Sequence, residues 1–587
     1  MMKKASIIFY ILYFTSAIFA QQPLPIGFAP GEKALMPAYL ESRAKAVSGI
    51  TTPPTSPVRT MAEWEESQAI AITWTSYPSI LKEIVRYAKL EVLVIIICSD
   101  SNQVKNYLSS NGIDSQNVSF IEKNYDSVWI RDYGQHTVYT NEVDSLLLVD
   151  WIYNRPRPDD DVTPGAIANF FGYPLYSTTA PPYDFVSTGG NFMSDGFGNA
   201  FSSKLVLEEN EPGATYSIIP KTEDEIDSIM YQYMGIENYI KMEVLPYDGI
   251  HHIDMHMKLL DEETLLVGEY PSGVADGPQI EANLQYVLSN FKTKWGTDFK
   301  LVRIQMPPDA NGDYPDTWWA DYRTFTNSIF VNKAILVPIY AEQYDTTALR
   351  IYRENLPGYN IVGIDCNQII PAGGALHCIT KLVGAENPLL ISHKELDDQY
   401  ESSSSYQVDA YINHKTDISS ASVFYTIDTA AGYQAVSMSL TNVVNHTWTG
   451  DIPAQPAGSR VFYYIDATAN LGKQQMRPMT APNGYWVFNV LQGAGMNDEM
   501  SADIAFDAVF PNPAHAITCI PVSSEKNTNI SLKLTDVLGK EVLTIYIGIL
   551  PKGGDKFFFD ASKLSSGTYL LTLESEEGRL TQKVLVW

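Results

Sequence analysis

Short apolar runs alternate with longer amphipathic stretches over much of the chain. Apolar positions at 69–73 and 91–97 predict strands, and the spacing between them predicts a helix over 79–90. Further strands are expected at 145–151, 200–207, 265–267 and 335–337, with helices at 223–234 and 279–288. Strand and helix keep alternating to about residue 395, which predicts one large α/β domain over 56–395. Cys98 closes the apolar run 92–97 and reads as a core residue.

Beyond residue 400 the pattern turns all-β. After a serine-rich linker at 401–405, short strands are expected at 407–412, 422–427, 435–440 and 460–467. Residues 400–492 therefore suit a small β-sandwich of immunoglobulin-like architecture. Its diagnostic Cys…Trp…Cys spacing is absent, so only the architecture is inferred. A linker over 493–503 leads to a last module, 504–587, whose alternation predicts a small antiparallel sandwich. At the other end, residues 21–55 are rich in Pro, Ala and Gly and read as a leader or linker. Before them, Lys3 and Lys4 precede an apolar run over 7–14, and Ala20 precedes Gln21 at a plausible cleavage point. Residues 1–20 thus read as a secretory signal peptide, and the run is too short for a stable membrane span. No later stretch has the length of apolar sequence a membrane helix needs, so the mature chain is expected to be exported, without a transmembrane segment.

Charge narrows the function. The 587 residues carry 68 acidic against 40 basic side chains, a formal net charge of −28. Phosphate binding needs basic patches, so no nucleic-acid partner is expected. Weak steering of cationic substrates is compatible with this balance. Four cysteines are too few for a disulfide scaffold, and no CxxC pair points to structural zinc. The even count leaves disulfides open.

Four clusters carry candidate chemistry. In Trp129-Ile130-Arg131-Asp132-Tyr133-Gly134, a carboxylate among aromatics suits a flat cation. In His251-His252-Ile253-Asp254-Met255-His256, a strand would place His252, Asp254 and His256 on one face. Two readings stay open there: a metal site, or His252 as acid/base with Asp254 as substrate anchor. In Gly373-Gly374-Ala375-Leu376-His377-Cys378, glycines allow a sharp turn beneath a cysteine that a nearby histidine could activate. In Asn154-Arg155-Pro156-Arg157-Pro158, prolines hold two guanidinium forks on one stiff loop, a carboxylate receptor. Asp159, Asp160 and Asp161 could supply oxygens to a structural calcium ion, but a solvated acidic turn is the preferred reading and no metal is assigned.

Taken in order, with Gly189-Gly190-Asn191 and the following Asp195-Gly196 between the first two, these clusters resemble the agmatine deiminase and Porphyromonas-type peptidylarginine deiminase family over roughly residues 60–390. The resemblance implies a pentein fold, a five-bladed α/β propeller of repeated ββαβ units. It implies Cys378 as nucleophile, His252 as general acid/base, and Asp132 and Asp254 as guanidinium anchors. It also implies Asn327 as a pocket residue, Trp129 along the substrate chain, and no required cofactor. Arg155 and Arg157 match the carboxylate clamp of the peptidylarginine branch, which favours arginine at a peptide's C-terminus. The implied activity is conversion of peptidyl-arginine to peptidyl-citrulline and ammonia through a cysteine thiouronium. Agmatine deimination is the alternative within the class, and a metallohydrolase built on His252, Asp254 and His256 is the alternative outside it. The last module, with Phe510-Pro511-Asn512-Pro513 and Ser566-Gly567-Thr568-Tyr569, resembles the C-terminal sorting domain of type IX secretion. That implies partnership with this export machinery and a location at the cell surface or outside it.

Overall fold

The computed structural model describes residues 23–45, 49–214, 218–316, 320–401, 403–491, 504–506, 509–537, 539–575 and 578–587. The expected signal peptide, and the linker expected at 493–503, lie outside the described residues.

Four stretches of the α/β region repeat one pattern. A short strand pairs antiparallel with a longer one, a helix follows, and the next strand returns parallel to the long one. The triads are His136–Thr140, Leu146–Trp151 and Leu175–Thr178; Met193–Ser194, Asn199–Ser203 and Asn238–Met242; Met257–Leu259, Thr264–Glu269 and Lys300–Gln305; and Ile329–Val331, Ala334–Ile339 and Asn360–Asp365. The fifth sheet is assembled from both ends of the region. Lys381–Gly384 pairs antiparallel with Ser67–Thr73, which is followed by parallel Leu93–Cys98 and Val118–Glu122. Crossover helices cover the sheets, so the inner strands read as continuous apolar runs, as in Leu-Val-Ile-Ile-Ile-Cys over Leu93–Cys98.

Local signals explain the helices. Helix Pro78–Ala88 starts with proline at its first position and buries Ile80, Leu81, Ile84, Val85 and Ala88 as one stripe. Helix Glu223–Met234 opens with a capping box, Thr222 with Glu225, and stops at Gly235 with φ 67°. A Cβ on Gly235 would lie 1.8 Å from the Val58 carbonyl oxygen, so no other residue fits. The strand expected over 200–207 ends earlier, at Ser203, where the chain turns into the helical segment Leu205–Glu208.

Two further clusters of buried apolar side chains follow the main core. The first lies between a sheet of Leu390–His393, Ser405–Asn413, Thr447–Pro453 and Ser439–Asn442 and a second sheet centred on Arg460–Ala469. Strand Leu390–His393 falls inside the span expected for the catalytic domain but pairs with Ser405–Asn413, so the sandwich begins before residue 395. The segment expected as one strand over 435–440 is two, Gln434–Ser437 and Ser439–Asn442, in different sheets. The last cluster fills a pair of sheets formed by Ile504–Phe506, Ile517–Ser524 and Asp555–Asp560 and by Glu541–Leu550, Thr528–Asp536, Gly567–Ser575 and Gly578–Val586.

The stretch expected as leader or linker is packed on the α/β region. It carries helix Met36–Lys45, whose Met36, Tyr39 and Leu40 pack with Ile152 and Val186. Arg43 is buried against two carboxylates, 3.2 Å from Asp150 and 2.6 Å from Asp161.

Candidate active site

The repeat places the chemistry. Each candidate residue sits in the segment just before the first short strand of a sheet: Asp132 before His136–Thr140, Gly190 before Met193–Ser194, His252 and Asp254 before Met257–Leu259, Asn327 before Ile329–Val331, and Cys378 before Lys381–Gly384. Segments distant in sequence therefore meet at one place. All of these residues are buried, and Cys378, His252 and Asn327 show no exposed surface.

Cys378 Sγ accepts a hydrogen bond from Asn327 Nδ2 at 3.2 Å and lies 3.7 Å from Asp254 Oδ2. The Asn327 side chain also fixes the turn that bears Cys378, because its Oδ1 accepts from the His377 amide at 3.0 Å. His252 faces the other carboxylate: its Nδ1 is 3.6 Å from Asp132 Oδ1, and its Nε2 pairs with Thr188 Oγ1 at 3.1 Å. Asp132 is anchored by the Gly190 amide at 3.1 Å. Among the described residues, His252 Nδ1 and Asp254 Oδ1 are buried without a hydrogen-bond partner. Such groups are costly unless something satisfies them, and a bound hydrogen-bond donor would. Two glycines keep the centre open. A Cβ on Gly190 would lie 2.5 Å from His252 Nδ1 and 2.9 Å from Asp132 Oδ1, and one on Gly374 would lie 2.9 Å from Cys378 Sγ.

Electrostatics follow from burial. Desolvation pushes the Cys378 thiol well above its ordinary value, and the Asp254 and Asp132 carboxylates push it further. Burial also raises Asp132. Burial alone would raise Asp254 too, but the His377 hydrogen bond, with the charges of His377, His252 and Arg131, holds it below the usual carboxylate value. The two carboxylates are thus tuned apart.

Sequence reasoning gave no role to the supports behind them. His377 spans two carboxylates, with Nδ1 2.7 Å from Asp254 Oδ2 and Nε2 2.6 Å from Glu63 Oε2. Glu63 is in turn held by Lys258. Arg131 ties its own loop to the one bearing Cys378, donating from its backbone to the Cys378 carbonyl at 3.1 Å and from Nε to that of His377 at 3.1 Å. His377 stands beside the cysteine in the glycine-rich motif, which was its only signal; Glu63 had none.

The strand expected over the His252 cluster is a 3₁₀ turn, Ile253–Met255, and the strand begins only at Met257. Alternation therefore does not apply, and the three side chains do not share a strand face. Neither ring nitrogen of the buried His256 has a hydrogen-bond partner among the described residues, and desolvation pulls its pKa down to about 4. No three His, Cys, Asp or Glu side chains converge on a metal-sized site among the described residues. The acidic triplet is likewise divided: Asp160 accepts from Asp126 and Ser127, while Asp161 accepts from Tyr153 and pairs with Arg43.

Trp129, Arg155 and Arg157 are all covered by the chain's own leader. Trp129 Nε1 donates to the Leu24 carbonyl at 2.9 Å, Arg155 Nε to Ile26 O at 3.1 Å, and Arg157 to the Glu32 carboxylate, with Nε–Oε1 at 2.8 Å.

Residues 58–383 match the model of the Porphyromonas-type peptidyl-arginine deiminase family. The chain belongs to that family. Within this deiminase family, it is 24% identical over 333 residues to a provisionally named agmatine deiminase of Mycoplasma mycoides subsp. mycoides, covering 52% of this chain and 85% of the relative. A similarly named protein of Legionella pneumophila is 24% identical over 315 residues, with the same coverage. An X-ray structure of another protein provisionally named agmatine deiminase superposes with TM-score 0.50 at 20% identity, covering 57% of this chain and 99% of that one. The α/β region thus has the fold of the pentein deiminases, and β-rich domains follow it. Residues 508–587 match the secretion system C-terminal sorting domain, which indicates type IX secretion and a location at the cell surface or outside it. No helix among the described residues is long and apolar enough to cross a membrane.

Proposed function

We propose that this deiminase hydrolyses peptidyl-arginine to peptidyl-citrulline and ammonia, with Cys378 as nucleophile. The five sheets are read as the blades of a propeller whose axis carries the site. The observation that carries the proposal is the pair of buried carboxylates, Asp132 and Asp254, each beside one reactive group, His252 and Cys378. A guanidinium is planar and cationic, and its carbon is a poor electrophile. Charge-assisted bonds to the two carboxylates orient it and use the free Asp254 Oδ1.

Docking of this cation also neutralises the charges that hold the thiol protonated. The Sγ proton passes to His252, and the thiolate adds to the guanidinium carbon to give a neutral tetrahedral adduct. His252 returns the proton to one amino group, the C–N bond breaks, and ammonia departs with its electron pair, leaving an S-alkylthiouronium cation. Neutral His252 then takes a proton from water, and the hydroxide adds to the same carbon. The C–S bond breaks, the thiolate leaves and is reprotonated, and citrulline is released. The chain's own residues supply each step, and no cofactor enters the scheme.

Arg155 and Arg157 favour a peptide over agmatine. Agmatine has no carboxylate or peptide carbonyl, so it offers neither guanidinium group an acceptor to replace those of the leader. The test is citrulline release from agmatine, from a peptide ending in arginine and from the same peptide amidated. It is run on the full chain and on a chain beginning at Lys33, each with its Cys378→Ala variant. Turnover of the free-carboxylate peptide alone, lost in the variants, is expected. Preference for agmatine would overturn the substrate, and turnover surviving Cys378→Ala would overturn the mechanism.

A further inference from the structure

The leader occupies Trp129, Arg155 and Arg157, the side chains proposed above to bind the substrate. From Leu24 to Glu32 it reads Leu-Pro-Ile-Gly-Phe-Ala-Pro-Gly-Glu. Trp129 Nε1 takes the Leu24 carbonyl, and Arg155 Nε takes that of Ile26. Arg157 NH2 takes the carbonyls of Pro25 at 2.8 Å and Gly27 at 2.9 Å. The Ile26 amide donates to Ala372 O at 3.0 Å, on the turn that leads to Cys378. Ile26 is 1% exposed and belongs to the same apolar cluster as Trp129, Ala375 and Cys378. Phe28 stacks beneath the Arg155 guanidinium, 4.4 Å away. Finally, Glu32 grips Arg157 with both oxygens, at 2.8 and 3.1 Å. Burial would raise the Glu32 pKa, but the Arg157 hydrogen bond, the Ala29 amide and the charges of Arg157 and Arg155 together hold the carboxyl below its ordinary value.

We infer that residues 24–32 are a built-in pseudosubstrate that keeps the enzyme latent, with the Glu32 carboxylate standing where a substrate's terminal carboxylate would bind, and that a peptidase must remove them before the enzyme works. The inference rests on the deiminase reading of the same site. The segment contains no arginine, so it holds the grip without offering a guanidinium carbon to Cys378. It is also tethered. Helix Met36–Lys45 anchors it to the loop that carries both arginines: Tyr39 donates to the Tyr153 carbonyl at 3.3 Å, and Arg43 pairs with Asp150 and Asp161. Tethering makes re-binding intramolecular, at an effective concentration on the order of millimolar, so modest contacts suffice to exclude a free peptide. With the leader seated, Arg157 is 1% exposed and Trp129 0%. A substrate cannot reach them until this segment leaves. Cutting between Glu32 and the helix would free Trp129, Arg155 and Arg157 and keep the buried contacts of Arg43.

The test compares the full chain with a chain beginning at Lys33. The first readout is alkylation of Cys378 by chloroacetamidine, a small amidinium, with the modified cysteine located by peptide mass spectrometry. The second is kcat/KM for a peptide ending in arginine. The trimmed chain is expected to alkylate at least ten-fold faster and to gain at least ten-fold in kcat/KM. A synthetic peptide of residues 23–32, added back, should reverse both. Phe28→Ala combined with Glu32→Gln in the full chain, which leaves the helix untouched, should give an intermediate gain; it serves alone if the trimmed chain does not fold. Equal alkylation rates in the full chain, the trimmed chain and the double variant would overturn the inference. Faster alkylation without turnover of any arginine substrate would uphold the occlusion and sink the deiminase reading.

Discussion

Gly190→Ala tests whether the backbone itself is part of the reaction centre. The residue has an ordinary φ, so alanine brings no backbone strain. Its new Cβ, however, would fall 2.5 Å from His252 Nδ1 and 2.9 Å from Asp132 Oδ1. Favourable contact begins at about 3.5 Å, so the imidazole must move by about 1 Å. A misplacement of about 1 Å can cost on the order of 100-fold in rate, and kcat is expected to fall by about that factor. The stability loss should stay within the roughly 1–3 kcal/mol typical of overpacking. Gly249→Ala is the matched control: nothing lies within 4 Å of its added Cβ, and it is only a few residues from His252. The assay is citrulline release by the trimmed chain, with thermal unfolding of each variant alongside. A Gly190→Ala enzyme with wild-type kcat would refute the placement of His252 and Asp132 around that glycine. A Gly249→Ala enzyme as damaged as Gly190→Ala would show the loop, not the contact, to be responsible.

Three further outcomes follow from the same geometry. Because burial and two carboxylates hold the Cys378 proton, its reaction with neutral iodoacetamide should still be climbing above pH 9, whereas cationic chloroacetamidine should reach half-maximal rate at lower pH; a common midpoint below pH 8 would contradict the electrostatic account. Asn327→Asp removes the donor to Sγ and adds a third carboxylate, so kcat should fall by about 100-fold or more and alkylation should slow with it; unchanged alkylation would remove Asn327 from the thiol's environment. Arg43→Ala leaves Asp150 and Asp161 buried without their cation and should cost about 3–5 kcal/mol at neutral pH, read from denaturant unfolding. Burial already raises both carboxyl pKa values, and loss of Arg43 raises them further. Their favourable protonated state is retained at low pH and lost as pH rises through the folded pKa, so the penalty should grow from pH 5 to pH 8. A penalty independent of pH would mean that neither carboxylate titrates there.

The candidate groups that the fold brings together were legible in the sequence because they lie in short motifs with unusual composition. Trp129 to Gly134, His252 with Asp254, and the glycine-rich run to Cys378 could be read without coordinates. What could not be read was how they meet. Strand Met193–Ser194 has two residues and Met257–Leu259 three, too short to show a period of two. The repeat is further hidden because Lys381–Gly384 completes a sheet begun at Ser67. The same weakness misplaced the His252 segment on a strand, since alternation at three positions also fits a tight turn. The leader failed for a different reason. Its proline and glycine content suits a linker, while Ile26, Phe28, Glu32 and Arg43 acquire meaning only against the loop at 150–161, far along the chain.

The sheet shared by the two ends has a consequence for when the enzyme can exist. The turn bearing Cys378 is held by the strand Lys381–Gly384, which has no partner until it finds Ser67–Thr73. During synthesis that strand emerges after nearly the whole α/β region, so the reaction centre is the last part of it to be completed. A chain stopped short of residue 378 would lack the nucleophile, and one stopped just beyond it would lack the strand that positions the turn. A chain ended before residue 377 therefore keeps Asp132, His252 and Asp254 in its sequence but lacks both Cys378 and the His377 that holds Asp254. For a protein bound for export, this ties the arrival of reactivity to completion of the catalytic region.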